Sequence, residues 1–373
     1  MTGLIRRAIL AGALLTQTTY SYAAAEEITM QPDFGQRVDA LFAAYDHDVR
    51  PGFAIGIVRK GQLVLAQGYG YANLQSARPI TPNTTFNIAS LSKQFTAAAL
   101  AREILAGRVS LEDRLADHWP DLPPFASAIT LAHLVYMTSG LPEYYTLPSP
   151  KGGWSSESQF TVDDAITAVF AAGALAYAPG SRWTYSNINY QLLAKLVGRL
   201  NARTFADQLK TSVFDPLDMS TARVDAPLAQ QPTDATAYYR GDLGPTDWHV
   251  APRLSPHYGG SGVFASLRDL AQWDRALYQD NALEGHAFGE LMLSTQQFEH
   301  DKANDAFGLV HGAYRGLKTI WYEGGDYGVS TYMARLPGRD ETVICLANFA
   351  DGRCYEKARA VMDLLIAFEP PSQ

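Results

Sequence analysis

Only two of the 373 residues are cysteine, Cys345 and Cys354. Two thiols at that spacing make no metal site. The eight histidines are scattered, and no H-E-x-x-H is present to hold a zinc ion. No G-x-S-x-G occurs, so the nucleophile elbow of one large hydrolase class is missing. No block of basic residues stands out, and the net charge is -8. A nucleic-acid binder needs a basic footprint, so nucleic acid is not expected as a partner. No apolar run reaches membrane-spanning length. Internal repeats and low-complexity tracts are absent too.

What remains is an ordinary globular balance, 47% hydrophobic and 18% charged, in a chain long enough for a substantial core. The N-terminus reads as an export leader. Arg6 and Arg7 precede the apolar run "AILAGALL", and "YAAAEE" offers small residues for cleavage near Ala23 to Ala25. We therefore expect residues 1–25 to be removed and the mature chain to be periplasmic or secreted, without a membrane span. No cysteine follows the apolar run, so no lipid anchor is suggested. The mature chain would carry 28 basic and 38 acidic groups, a net charge of -10. Export would permit a disulfide between Cys345 and Cys354. The apolar "TVICLANF" equally suits buried free thiols. Nothing points to a cofactor.

Helical periodicity in "FGQRVDALFAAYDHD" puts Phe34, Val38, Leu41, Phe42 and Tyr45 on one face. "GFAIGIV" and "QLVLAQGYG" read as strands joined by the turn "RKGQ". Helical patterns and Pro- and Gly-rich loops then dominate to about Pro252. "TVDDAITAVFAAG" opens on a threonine cap with acids in its first turn, and "NYQLLAKLVGRL" is amphipathic. The polar stretch from Ala226 to Gly260 reads as an extended loop region, of the kind that lines sites. Strands return in "VSTYMARLP" and "ETVICLANF" around the turn "GRD", and "CYEKARAVMDLLIAF" closes the chain as a helix. The two ends share one character and the middle another. The expected fold is α/β (α+β): an antiparallel sheet flanked by helices, built from residues 26–70 and 253–373. A mostly helical domain, residues 71–252, is inserted.

In "FNIASLSKQFTAAAL", Ser90 stands one helical turn before Lys93. The helix that follows is apolar nearly all round, hence buried. A lysine in its first turn needs a partner charge or loses its proton, and a neutral amine can act as base for a hydroxyl one turn away. Ser90 also places its own N–H among the unpaired donors of the first turn, which suit an oxyanion. "WTYSNINYQLL" puts Tyr185 and Asn187 ahead of another helix. A phenol near a lysine can relay protons, and an amide can hydrogen-bond a substrate carbonyl. The same spacing in Tyr71 to Asn73 falls at a strand end and reads as structural. In "WYEGGDYGVST", Gly324 and Gly325 let a strand edge approach a ligand, with the Asp326 N–H as second oxyanion donor.

The chain resembles the serine β-lactamase and penicillin-binding-protein superfamily, in its class C-like branch of esterases, D-peptidases and β-lactamases. The Ser-x-x-Lys motif is a known signature of that group. The resemblance runs in order through "TTFNIASLSKQFTAAAL", "MTSGLPEYY", "PGSRWTYSNINYQLLAKLVGRL", "VFDPLDMSTARV", "GGSGVFASLRDLAQWDRALY" and "EGGDYGVSTYMARLPGRDETVICLANF". It implies an acyl-enzyme on Ser90, with Lys93 as partner, Tyr185 as base or proton relay and Asn187 as a substrate hydrogen-bond donor. The fold it implies is an α/β sandwich plus a helical domain, with the site between them. The implied substrate is a small-molecule or peptide-like ester or amide. β-Lactamase or D-Ala-D-Ala carboxypeptidase activity is the alternative, and a binding or sensor protein that keeps the fold is an alternative of another class. Two departures stand out. Met137 replaces a histidine before Thr-Ser-Gly, for which a packing consequence is expected. Glu323 stands where the third motif carries a lysine or histidine. If it faces the cleft, it disfavours substrates with a carboxylate at that point. His257, in "SPHYGGSG", borders a family-like glycine loop and reads as a loop histidine that could edge the site.

Overall fold

In the computed structural model, which describes residues 33–45, 48–154, 158–224, 231–255, 257–278, 283–295 and 304–367, the first hairpin forms as the sequence suggests. Strands β1 (Phe53–Arg59) and β2 (Gln62–Tyr69) meet at Lys60 and Gly61. Both turn residues are left-handed, with φ of 48° and 72°. That pair of conformations makes the tight turn whose twist matches the strands. The leader expected over residues 1–25 lies outside the described residues. Among the described residues, no helix is long and apolar enough to cross a membrane.

Five further strands complete one sheet: β3 (Asn304–Ala306), β4 (Leu309–Tyr314), β5 (Leu317–Asp326), β6 (Val329–Leu336) and β7 (Glu341–Ala347). Their order is β3-β4-β5-β6-β7-β1-β2, and every pairing is antiparallel. The chain thus takes its central strands from both ends, which closes β7 on β1. The β6–β7 hairpin around "GRD" was legible. Strands β3 and β4 were not, and of β5 only the glycine-rich end read as a strand edge, because glycines and charged residues interrupt the alternation in "HGAYRGLKTIWYEGG".

Period-2 alternation gives the sheet two buried faces. Phe53, Ile55, Ile57, Tyr332, Ala334, Val343 and Cys345 pack under α1 (Phe34–Phe42) and α6 (Cys354–Ala367). Ala54, Val58, Tyr322, Met333, Ile344 and Leu346 join a second, larger core. That core also holds α2 (Ser92–Leu105), α3 (Val162–Ala171), α4 (Asn187–Leu200) and α5 (Leu267–Tyr278). Helix α3 begins with the capping pair read from sequence. Asp164 N donates to Thr161 Oγ1 at 3.2 Å, and Thr161 N donates to Asp164 Oδ2 at 2.9 Å. The buried Arg335 of β6 donates to Asp274 of α5 at 3.1 Å, and Thr342 to the same carboxylate at 2.6 Å, tying helix to sheet. Cys345 and Cys354 are both buried and free, with their Sγ atoms 2.7 Å apart. The loop region after residue 230 contains a short ribbon, Tyr238–Arg240 with Trp248–Val250, bridged through Tyr238 to Phe349, two residues past β7.

Candidate active site

Ser90 sits in the 3-10 turn Ala89–Leu91 that leads into α2. Ala89 before it is left-handed, with φ of 47°, a strained conformation for a residue with a side chain. Asn87 steadies the turn by accepting from Ala89 N at 3.0 Å. Lys93 follows one turn on and is fully buried. Its Nζ donates to three oxygens: Ser90 Oγ at 3.2 Å, Asn187 Oδ1 at 2.8 Å and Gly260 O at 2.6 Å. An ammonium uses all three as acceptors. A neutral amine has one lone pair, so it would donate to Asn187 and Gly260 and accept from the Ser90 hydroxyl.

Tyr185 reaches Ser90 from the other side, with 2.7 Å between Tyr185 OH and Ser90 Oγ. The same phenol donates to Asn187 Oδ1 at 3.4 Å. Ser186 caps α4, so Asn187 is its first residue and presents its amide to Lys93. Glu143, in "MTSGLPEYY", carries no local sequence signal for a site but stands at the same helix end. Its Oε2 accepts from Asn187 N at 2.8 Å and Ile188 N at 3.4 Å. A carboxylate is favoured at a helix N-terminus. Burial nevertheless raises its pKa, against the pull of those donors and of Lys93. Four sequence-predicted residues, Ser90, Lys93, Tyr185 and Asn187, therefore meet in one hydrogen-bonded cluster. The decoy Asn73 bonds instead to Thr236 and Ser76, and Met137 is buried in the core.

Strand β5 lies along the Ser90 turn. A Cβ on Gly324 would come within 2.4 Å of Thr331 Oγ1, 2.7 Å of Ile88 O and 3.0 Å of Ala89 Cβ. Only glycine allows this approach. Thr331 Oγ1 donates to Ile88 O at 3.0 Å and so pins β6 to the same turn.

The register corrects the reading of Glu323. Glu323 pairs with Tyr332, and Tyr332 belongs to the core under α1 and α6. The exposed Glu323 side chain therefore lies on the sheet face turned away from Ser90. Alternation puts Tyr322, Gly324 and Asp326 on the face toward the site. Tyr322 pairs with Met333 in the larger core. Its hydroxyl is buried with no hydrogen-bond partner among the described residues. Burial raises its pKa well above the ordinary phenol value, and Asp305 and Tyr185 lie within electrostatic reach. The site-facing residue of the third motif is thus a tyrosine. The strand period was the signal that could have found it.

The register also shifts the backbone N–H that faces the site by one residue from the one expected. Tyr327 and Gly328 form a two-residue turn, so Asp326 and Val329 close the hairpin. A closing pair exchanges both backbone hydrogen bonds, which turns the Asp326 N–H toward β6. The Gly325 N–H points the opposite way. Strand β4 pairs with β5 only as far as Trp321, so that edge is open beside the Ser90 turn. The Asp326 side chain does face the site: Asn87 Nδ2 donates to its Oδ2 at 3.1 Å.

A cavity of about 380 Å³ adjoins this cluster. Asn87 and Asp326 form the wall nearest Ser90, while Tyr144, Trp154 and Phe264 supply apolar surface and His257 lies within. Ser90 itself is not among its lining residues. His257 is mostly buried, and burial pushes its pKa down to about 4, so it is neutral near pH 7.

A profile of the Beta-lactamase family matches residues 38–366. A penicillin-binding protein of Bacillus subtilis is 31% identical over 80% of this chain and 68% of its own length. A D-aminopeptidase of Brucella ovis is 32% identical over 86% of this chain and 60% of its own. The chain thus spans about two thirds of the length of the curated relatives it matches. Among solved structures, an octameric penicillin-binding protein homologue from Pyrococcus abyssi superposes with a TM-score of 0.77 at 23% identity. That match covers 91% of this chain and 78% of that one. At that identity the likeness speaks for the fold.

Proposed function

The chain belongs to the Beta-lactamase family, and from that premise we propose that it is an exported serine hydrolase that forms an acyl-enzyme on Ser90. The carrying observation is the double contact at the hydroxyl: Tyr185 OH at 2.7 Å and Lys93 Nζ at 3.2 Å. Ser90 gives its proton to this pair as Oγ attacks the acyl carbon of an ester or amide. The N–H groups of Ser90 and Gly325 receive the oxyanion. Tyr185 returns the proton to the leaving group, and Ser90 is acylated. Water, deprotonated by the same pair, attacks the acyl carbon, and Ser90 leaves with its proton restored. Asn187 orients Lys93 through its Oδ1 and keeps its amide N–H groups for the substrate carbonyl.

The substrate class we favour is a carboxylesterase or D-peptidase-like acyl donor that is neutral or carries an amine. Tyr322 offers no positive charge to a substrate carboxylate from the site face of β5, and the Asp326 carboxylate would repel one. A penicillin or a peptide ending in a free carboxylate fits less well. Labelling with a fluorophosphonate, followed by peptide mapping, tests the nucleophile. A panel of p-nitrophenyl esters, D-amino acid amides and nitrocefin tests the class. Labelling of Ser90 without turnover of any of them would favour the binding or sensor alternative, and absence of labelling would sink the hydrolase reading.

A further inference from the structure

Lys93 is fully buried, yet none of its three hydrogen-bond acceptors among the described residues is an anion. Burying an ammonium in this way is costly unless a counter-charge stands near. Two carboxylates act on it electrostatically, Glu143 and Asp305. Glu143 already serves the N-terminus of α4. Asp305 has no such duty. It is partly buried on β3, and its Oδ1 is buried with no hydrogen-bond partner among the described residues.

The fold seats the hairpin that carries Asp305 against the lysine. The turn after β3 consists of Phe307 and Gly308, both left-handed, with φ of 54° and 70°. A Cβ on Gly308 would lie 2.8 Å from Lys93 C and 3.0 Å from Lys93 Cβ. The β3–β4 hairpin is therefore seated on the backbone of α2 at Lys93, three residues along from Asp305. The phenols of Tyr190 on α4 and Tyr322 on β5 feel the same carboxylate. Lys93, Asp305, Tyr190 and Tyr322 are thus within electrostatic reach of one another, with Lys93 Nζ 5.9 Å from the centroid of the Tyr190 ring.

We propose that Asp305 is a positioning residue for the reaction, the counter-charge that sets the balance between ammonium and amine at Lys93. The inference rests on the serine-hydrolase reading above. Burial raises the pKa of Asp305 to about 7, with Lys93 pulling it the other way. Above that pH it is an anion and favours the ammonium. The other titratable groups around Lys93 and Asp305 among the described residues are Glu143, Tyr185, Tyr190 and Tyr322. Only the amine form can take the Ser90 proton, so Asp305 fixes the pH at which the nucleophile switches on.

The test is the rate of fluorophosphonate labelling of Ser90 from pH 5.5 to 10, which needs no knowledge of the natural substrate. Asp305→Asn should move the half-maximal pH of labelling down by at least half a unit. Asp305→Glu, which keeps the charge, should restore at least part of the shift. A purely structural role would lower the rate at every pH and leave the midpoint in place. An unmoved midpoint in a folded, labelled Asp305→Asn protein overturns the inference alone. A wild-type protein that is not labelled at Ser90 overturns the hydrolase reading, and this inference with it.

Discussion

Tyr322 and Glu323 are adjacent on β5 and face opposite sides of the sheet, Tyr322 on the face toward Ser90 and Glu323 on the face of Tyr332. The charge preference expected of Glu323 must therefore be looked for at Tyr322. Tyr322→His should raise kcat/KM for carboxylate-bearing substrates relative to neutral esters. A gain of about 1.4 kcal/mol in transition-state binding is tenfold. Glu323→His should leave the ratio within twofold of wild type, because its side chain does not reach the cleft. Paired kinetics on the two variants decide the matter. Equal shifts in both would mean that the strand register is not what separates them.

The cluster around Ser90 makes a graded prediction. Ser90→Ala should abolish fluorophosphonate labelling. Lys93→Ala should lower the labelling rate about 10²- to 10⁴-fold, the usual weight of a positioned proton acceptor. Tyr185→Phe removes only the hydroxyl, which lies 2.7 Å from Ser90 Oγ. It should cost turnover while the protein stays folded, as circular dichroism would report. Wild-type rates in Tyr185→Phe would leave Lys93 as the sole base.

Gly324 is a prediction about geometry alone. In Gly324→Ala the new methyl meets Thr331 Oγ1, Ile88 O and Ala89 Cβ, the last two held in the turn that carries Ser90. Overpacking of this kind costs about 1–3 kcal/mol. The strand must retreat from Ser90, so activity should fall far more than stability. Gly325→Ala meets nothing within 4 Å and should fold and melt as wild type does. Thermal melts and labelling rates on both variants separate the effects.

The proximity of Ser90 and Lys93 was legible because they share one helical turn, where spacing fixes proximity. Tyr185 and Asn187 were legible for a similar reason: they flank a helix start whose cap is local. What spacing could not give was the sheet. Strand β5 has its side chains assigned by register with β6, and a shift of one residue exchanges the two faces. That exchange is the difference between Glu323 and Tyr322, and between the N–H groups of Asp326 and Gly325. Asp305 and the Gly260 carbonyl were invisible for another reason. Both reach Lys93 across long stretches of chain, through turns whose left-handed residues leave only a weak local trace.

His257 supports a prediction about acid stability. Its pKa falls from 6.5 to about 4, chiefly through burial, with Arg253 lowering it further and Asp326 opposing. The folded protein therefore holds fewer protons at this site than the unfolded chain. Its contribution is fully present above pH 6.5 and is lost as pH falls toward 4. By linkage it amounts to at most about 3 kcal/mol. The raised pKa values of Asp305, Asp274 and Glu143 act with the opposite sign in part of this range, since burial makes each hold its proton more tightly when folded. The overall pH curve therefore does not isolate the histidine, but the difference between wild type and His257→Gln does. Chemical denaturation at pH 7.5 and pH 5 should show wild type losing more stability than the variant over that interval. The variant should be the less stable of the two at pH 7.5, where it loses the contact of the imidazole with Phe160, whose rings lie 4.6 Å apart. Parallel losses between the two pH values would mean that His257 takes up its proton in the folded state as readily as in the unfolded one, and that the cavity wall is open to water at this point.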